Sequence, residues 1–177
     1  QNNDKVGVIF FSDKIEKFIP PKKGKKHILL IIREIINFEP ESSGTNIDVA
    51  LQFMTNAIKK RCSAFLISDF IDDHDYFKSM SIANRKHDLA SIQVYDRRDA
   101  EMPDVGLVRV RDLERGTDRW LDTSSSSARK AYAKAWYERQ QRLASVTARS
   151  GVDLASVTTD EDFVKALLGL FRRRGSR

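Results

Sequence analysis

Ser63-Ala64-Phe65-Leu66-Ile67-Ser68, running at once into Asp69-Phe70 and the acidic stretch Asp72-Asp73-His74-Asp75, is the passage on which the fold turns. A short continuous apolar run that stops at an Asp is too brief for a helix and reads as a strand buried on both faces. Working outward, Tyr76, Phe77, Met80 and Ala83 follow at helical spacing for about three turns. Residues 89–95 then form a further buried strand that closes on Asp96. In the other direction, Ile47, Ala50, Leu51, Met54 and Ile58 mark one face of a helix. Before it, Val6-Gly7-Val8-Ile9-Phe10-Phe11 repeats the pattern of a fully buried strand, stopped by Ser12-Asp13. Strands alternating with helices predict an α/β architecture with a mostly parallel sheet covered on both faces.

The remaining segments decorate that core. Ile15-Glu16-Lys17-Phe18-Ile19 alternates before Pro20-Pro21, which cannot donate to a ladder, so a short edge strand is expected. Ile28, Ile31, Ile32 and Ile35 predict a helix ending near Phe38, followed by the loop Glu41-Ser42-Ser43-Gly44. Residues 107–113 and 119–121 flank Glu114-Arg115-Gly116-Thr117 and predict an appended β-hairpin. Ala131, Tyr132, Ala135, Arg139, Leu143 and Val146 belong to a long helix that Gly151 stops. Residues 152–157 are a last strand. A final helix is expected from Thr159, with Asp162 three residues on as its capping partner, carrying Phe163, Ala166, Leu167, Leu170 and Phe171. No internal repeat occurs, and residues 1–177 read as a single domain.

Composition narrows the function. With 177 residues and 41% hydrophobic content the chain can bury one sizeable core, and 10 Phe, 4 Tyr and 2 Trp exclude a wholly disordered chain. No apolar run approaches the roughly 20 residues of a membrane span. The single cysteine, Cys62, excludes a disulfide scaffold and a cysteine-based zinc site. It points to a reducing compartment, and a cytoplasmic location is expected. The net charge of +6 is unevenly spread: ten basic against seven acidic residues in 1–60, ten against thirteen in 61–127, eleven against five in 128–177. The C-terminal excess lies on a helix and in Arg172-Arg173-Arg174 and Arg177, with no interleaved aromatics to stack bases, so no nucleic-acid partner is expected.

Function in an open α/β sheet gathers at the carboxyl ends of strands, which selects Ser12-Asp13, Gly44-Thr45-Asn46-Ile47-Asp48 and Ser68-Asp69. Oxygen donors without His or Cys beside them suit magnesium or manganese rather than zinc. Purely structural roles compete. Thr45 with Asp48 forms a helix-capping pair, Asp69 begins a turn, and Asp72–Asp75 caps the following helix. His74 lies exposed in the acidic turn, while His27 and His87 sit at element boundaries. Cys62 has no histidine placed by sequence to activate it. No nucleophile elbow, phosphate loop or dinucleotide fingerprint is present. A metal-dependent phosphoesterase using Asp69, Asp72 and Asp75 is the alternative reading, although such chemistry needs carboxylates converging from several elements within about 4 Å.

Taken together, Val6-Gly-Val-Ile-Phe-Phe-Ser-Asp13, Pro20-Pro-Lys-Lys-Gly24, Gly44-Thr45, Leu66-Ile-Ser-Asp-Phe70, Arg85-Lys-His-Asp88, Met102-Pro-Asp-Val-Gly106, Asp112-Leu-Glu-Arg-Gly116 and Leu121-Asp-Thr123 resemble the bacterial "domain of unknown function 58" family, which is similar to the von Willebrand factor type A domain. That resemblance, running from about residue 4 to residue 171, implies a Rossmann-like sheet bearing a metal-ion-dependent adhesion site. The site takes an Asp-x-Ser-x-Ser motif from the first loop, a Thr from a second and an Asp from a third. Thr45 matches the second position and Asp69 the third. The first motif is absent, so the chain reads as N-terminally truncated, with a first strand expected between those matching Val6–Phe11 and Ser63–Ser68. Magnesium or manganese would then belong to the intact domain and be held weakly or not at all here, since two ligands cannot satisfy an ion that wants about six. The resemblance further implies a non-enzymatic protein–protein interaction module. Its partner would supply a carboxylate to the metal, and it would work with a MoxR-type AAA ATPase in assembling other complexes.

Overall fold

The computed structural model describes residues 4–111 and 118–175. It holds β1 (Val6–Phe11), β2 (Ile15–Lys22), α1 (Lys25–Asn37), α2 (Ile47–Ala57), β3 (Ser63–Ser68), α3 (Phe77–Lys86), β4 (Asp88–Tyr95), α4 (Arg97–Ala100), β5 (Leu107–Arg111), β6 (Asp118–Asp122), α5 (Ser126–Arg149), β7 (Asp153–Thr158) and α6 (Phe163–Gly175). The architecture is mixed α/β around a parallel three-stranded sheet of order β3-β4-β7. Helices lie on both faces, as the alternation predicts.

One face carries the main core. Ile47 and Leu51 of α2, Tyr76 just before α3, Met80 and Ala83 of α3, and Leu143 of α5 close over Leu66 of β3 and Leu89 of β4. On the other face Leu170 of α6 packs on Ala90 and Ala155. Ser91 and Gln93 are buried in β4, the central strand, as a strand covered on both sides requires.

β3 departs from the expectation of full burial. Leu66 is buried, but Phe65 and Ile67 remain 43% and 58% exposed, with the Phe171 ring of α6 5.9 Å from that of Phe65. Among the described residues nothing pairs with the outer edge of β3, so it is an edge strand and α6 covers its far face only in part.

β1 differs more. Among the described residues it joins no parallel sheet but pairs antiparallel with β2 in a separate two-stranded ribbon, and its residues are half-buried or exposed. The connection sets the orientation of this pair: Ser12–Lys14 is three residues long, enough for a hairpin but far too short for a parallel crossover. β2 also continues through Pro20 and Pro21 to Lys22, because a register shift between Val6 and Val8 places both prolines at a bulge on an edge. Gly7 faces that bulge. A Cβ there would come within 2.8 Å of the Ile19 carbonyl oxygen and of Pro21 N. α1 packs against β1 with Ile31 buried and Leu29, Ile32, Ile35 and Ile36 exposed.

Two helix starts are corrected. α2 is capped by Asn46, whose Oδ1 accepts from Val49 N–H at 3.1 Å, not by Thr45, and Asp48 instead accepts hydrogen bonds from Ser79 and Gln52. α6 begins at Phe163, with Asp162 accepting from Val164 N–H at 2.9 Å. Thr159 is drawn away to Asp96 beyond β4, its hydroxyl donating to Asp96 Oδ2 and its N–H to the Tyr95 carbonyl. The one-turn helix α4 follows a capping box of Asp96 and Asp99. The hairpin appears as antiparallel β5 and β6, and its turn, 112–117, lies outside the described residues. α5 ends as expected before Gly151, which adopts φ 66°. Among the described residues no helix is long and apolar enough to cross a membrane.

Candidate functional site

Three loops that the sequence keeps far apart meet at the carboxyl ends of β1 and β3. The first follows β1. Its Ser12 is buried, donates its hydroxyl to Glu16 Oε1 at 2.6 Å, and offers its carbonyl to Asn46 N–H at 2.8 Å. That last bond ties the β1–β2 turn to the loop before α2. Ser42 N–H donates to the same Glu16 carboxylate at 3.1 Å, and Gly44 lies so close that a Cβ would meet Asp13 Cβ at 3.3 Å. Hydrogen bonding from Ser42 and Ser12 holds the Asp13 carboxyl below its ordinary range, and the Ser12 hydroxyl does the same for Glu16.

The third loop follows β3 and is fastened to the second by Asp72. Its side chain is fully shielded from solvent. Oδ2 accepts from Ile47 N–H at 2.8 Å, and Oδ1 accepts from His74 N–H at 2.8 Å and His74 Nδ1 at 2.7 Å. Asp72 thus stabilises the positive end of α2, a helix 25 residues earlier in the chain, rather than the helix that follows it. Asp72, foremost, with the Thr45 backbone and Asp73 raises the His74 pKa above its ordinary value.

The candidate metal ligands Thr45 and Asp69 lie on the loops of this cluster. Thr45, half-buried, immediately precedes the Asn46 cap. Asp69 is exposed directly after β3, where its Oδ1 accepts from Ile71 N–H at 3.0 Å and its carbonyl from Gln93 Nε2 at 3.3 Å. The turn bends sharply at Phe70, whose φ is 59°, and seats that ring in the core beside Tyr76. Among the described residues there is no group of three or more His, Cys, Asp or Glu that could hold a metal ion. The carboxylates of the phosphoesterase alternative are likewise spent separately, Asp69 on Ile71, Asp72 on Ile47 and His74, and Asp75 on Phe77 N–H at 3.1 Å.

At the opposite end of β3 the fold makes a pair that sequence reasoning missed. Cys62 Sγ lies 3.4 Å from Nδ1 of His87, which is wholly buried. Burial pushes the thiol up and the imidazole down, so both stay neutral, the opposite of an activated thiolate. Two of the C-terminal arginines, Arg173 and Arg174, are occupied. Arg174 bridges Asp88 and Asp153, and Arg173 donates to the Leu154 carbonyl.

Known proteins agree on the family. The family described as protein of unknown function DUF58 matches residues 1–142. The uncharacterized protein Rv1480 of Mycobacterium tuberculosis (strain ATCC 25618 / H37Rv) is 26% identical over 177 residues, which cover 98% of this chain and 56% of that protein. The uncharacterized protein MAV169 of Mycobacterium avium is 26% identical over 162 residues, 89% of this chain and 95% of that one. The chain therefore spans about half the length, 56%, of the first of these relatives. Two solved structures share the fold over 100% of this chain and 82% of theirs: conserved hypothetical protein BatB from Bacteroides thetaiotaomicron (TM-score 0.56, 16% identity) and an aerotolerance-related membrane protein from Bacteroides fragilis NCTC 9343 (TM-score 0.57, 14% identity). With the family match covering residues 1–142, the chain belongs to the DUF58 family of proteins of unknown function.

Proposed function

We propose that this chain is a non-enzymatic protein-interaction module whose contact surface is the loop cluster carrying Asp13, Thr45 and Asp69. The observation that supports it is the cross-bracing of three sequence-distant loops, Ser12 to Asn46 and Ile47 to Asp72, into one surface at the carboxyl ends of strands. A surface fixed by main-chain hydrogen bonds loses little entropy when a partner binds. The finer fold assignment is a von Willebrand factor type A-like sheet, with the unpaired edge of β3 facing a strand position on the side of β1. The partner is a MoxR-type AAA ATPase. Thr45 and Asp69 are the positions of this surface that would belong to a metal-ion-dependent adhesion site, with magnesium or manganese in the intact domain and a carboxylate from the partner.

The test uses the purified 177-residue chain and the MoxR-type ATPase of the same organism in biolayer interferometry. Binding by the wild type, weakened at least tenfold in a Thr45→Ala/Asp69→Lys variant of unchanged melting temperature, supports the reading. Absence of binding at tens of micromolar overturns this partner. Equal binding by the variant overturns this surface.

A further inference from the structure

Away from the loop cluster, a groove of about 530 Å³ runs between α3 and the end of α5. Its lining includes Lys78, Arg85 and Arg149 and no carboxylate. Some cations of this protein are paired, as Arg97 is with Asp160 and Glu161, and Arg129 with Asp104. Lys78 and Arg85, both exposed, have neither an ion pair nor a hydrogen bond among the described residues. Arg149 is held differently. Its guanidinium lies 4.3 Å above the centre of the Phe77 ring. Stacking of this kind fixes the plane of the guanidinium while leaving its N–H edge open, the geometry that pairs with a carboxylate through two parallel hydrogen bonds.

The wall beneath is rigid and already satisfied. Asn84 Nδ2 donates to the Ser150 and Gly151 carbonyls at 3.0 and 2.9 Å, and the Ser81 hydroxyl bonds the Phe77 carbonyl and Ser150 Oγ. The N–H groups of Ser150, Gly151 and Val152 donate to Val146, Ala148 and Thr147. Those three N–H groups are therefore not available to cradle a compact phosphate. The groove instead offers three long, separated cations around an aromatic edge, which suits carboxylates spaced along a chain.

We propose that this groove docks an acidic peptide segment of a partner protein, anchored by a carboxylate paired with Arg149 and flanked by Lys78 and Arg85. It is a second contact surface, distinct from the loop cluster and independent of it.

The test is fluorescence anisotropy of a fluorescein-labelled hexaglutamate peptide titrated with the 177-residue chain at low salt. Saturable binding is expected, weakened at least tenfold by Lys78→Glu/Arg85→Glu and by Arg149→Glu. The matched charge reversal Lys22→Glu/Lys23→Glu, on exposed residues outside the groove, should weaken it less than twofold. Circular dichroism and melting confirm that each variant is folded. Equal loss in the matched control would overturn the site, since binding would then follow net charge alone. Displacement of the peptide by inorganic phosphate at the peptide's own concentration would overturn the ligand class.

Discussion

The fully shielded carboxylate of Asp72 accepts the backbone N–H of Ile47 at 2.8 Å, so the loop after β3 caps the helix α2 that precedes β3 in sequence. This single bond, with Ser12 to Asn46 on the other side, sets the relative position of Thr45 and Asp69.

Asp72→Ala therefore removes a helix cap and strands a buried N–H. A loss of about 2 kcal/mol is expected in urea denaturation. Asp72→Asn, which keeps an acceptor oxygen but no charge, should recover part of it. An unchanged midpoint for Asp72→Ala would show that the loops are held otherwise.

His74 should give the protein a pH dependence of defined sign. Its pKa is raised from 6.5, first by the hydrogen bond and charge of Asp72, then with contributions from the Thr45 backbone and Asp73. The folded state binds the proton more tightly than the unfolded one. The contribution to stability is thus complete below the ordinary value and is lost as pH rises through the higher folded value. Chemical denaturation of wild type and His74→Ala across this window should converge at the alkaline end. A gap that widened with pH would contradict the assignment.

Gly7→Ala forces a methyl group against main-chain atoms of Ile19 and Pro21, which cannot rotate away. The expected cost is about 1–3 kcal/mol. Gly24→Ala at the adjacent turn, where a Cβ has open space but φ is 105°, separates steric crowding from backbone strain in the same melting experiment.

Calorimetric titration with magnesium or manganese is expected to show no micromolar isotherm, and Asp69→Ala should leave the heats unchanged. Thr45 and Asp69 present too few oxygens, and Asp69 Oδ1 already accepts from Ile71 N–H. A micromolar isotherm abolished by Asp69→Ala would show that this chain holds the ion by itself.

Much of the fold was legible because burial leaves a direct trace in residue type. The apolar runs around Leu66 and Leu89, and the helical spacing of Met80, Ala83 and Leu143, identify the main core before any coordinates are known. β1 misled for the same reason. Val8, Ile9, Phe10 and Phe11 look like a strand covered on both faces, yet composition carries no record of which strand lies alongside. The three-residue connection to β2 was the available signal, because its length permits only antiparallel pairing. Thr45 and Thr159 misled in another way. Each has the residue type and spacing of a cap, but Asn46 captures Val49, and Asp96 captures the Thr159 hydroxyl. Local capping competes with tertiary partners that sequence distance conceals.

The amino-acid order by itself determined the α/β alternation, the helix stops at residues such as Gly151, and the charge that gathers toward the C-terminus. These depend on backbone conformation and on periodic burial, which act over a few residues at a time. Tertiary structure alone decided that β3 is an open edge, that Asp72 serves α2, that Cys62 meets His87, and that Lys78, Arg85 and Arg149 share one groove. Each of these joins groups 25 or more residues apart or depends on which surfaces stay uncovered. Such relations are settled by how elements pack and not by the propensity of any one of them.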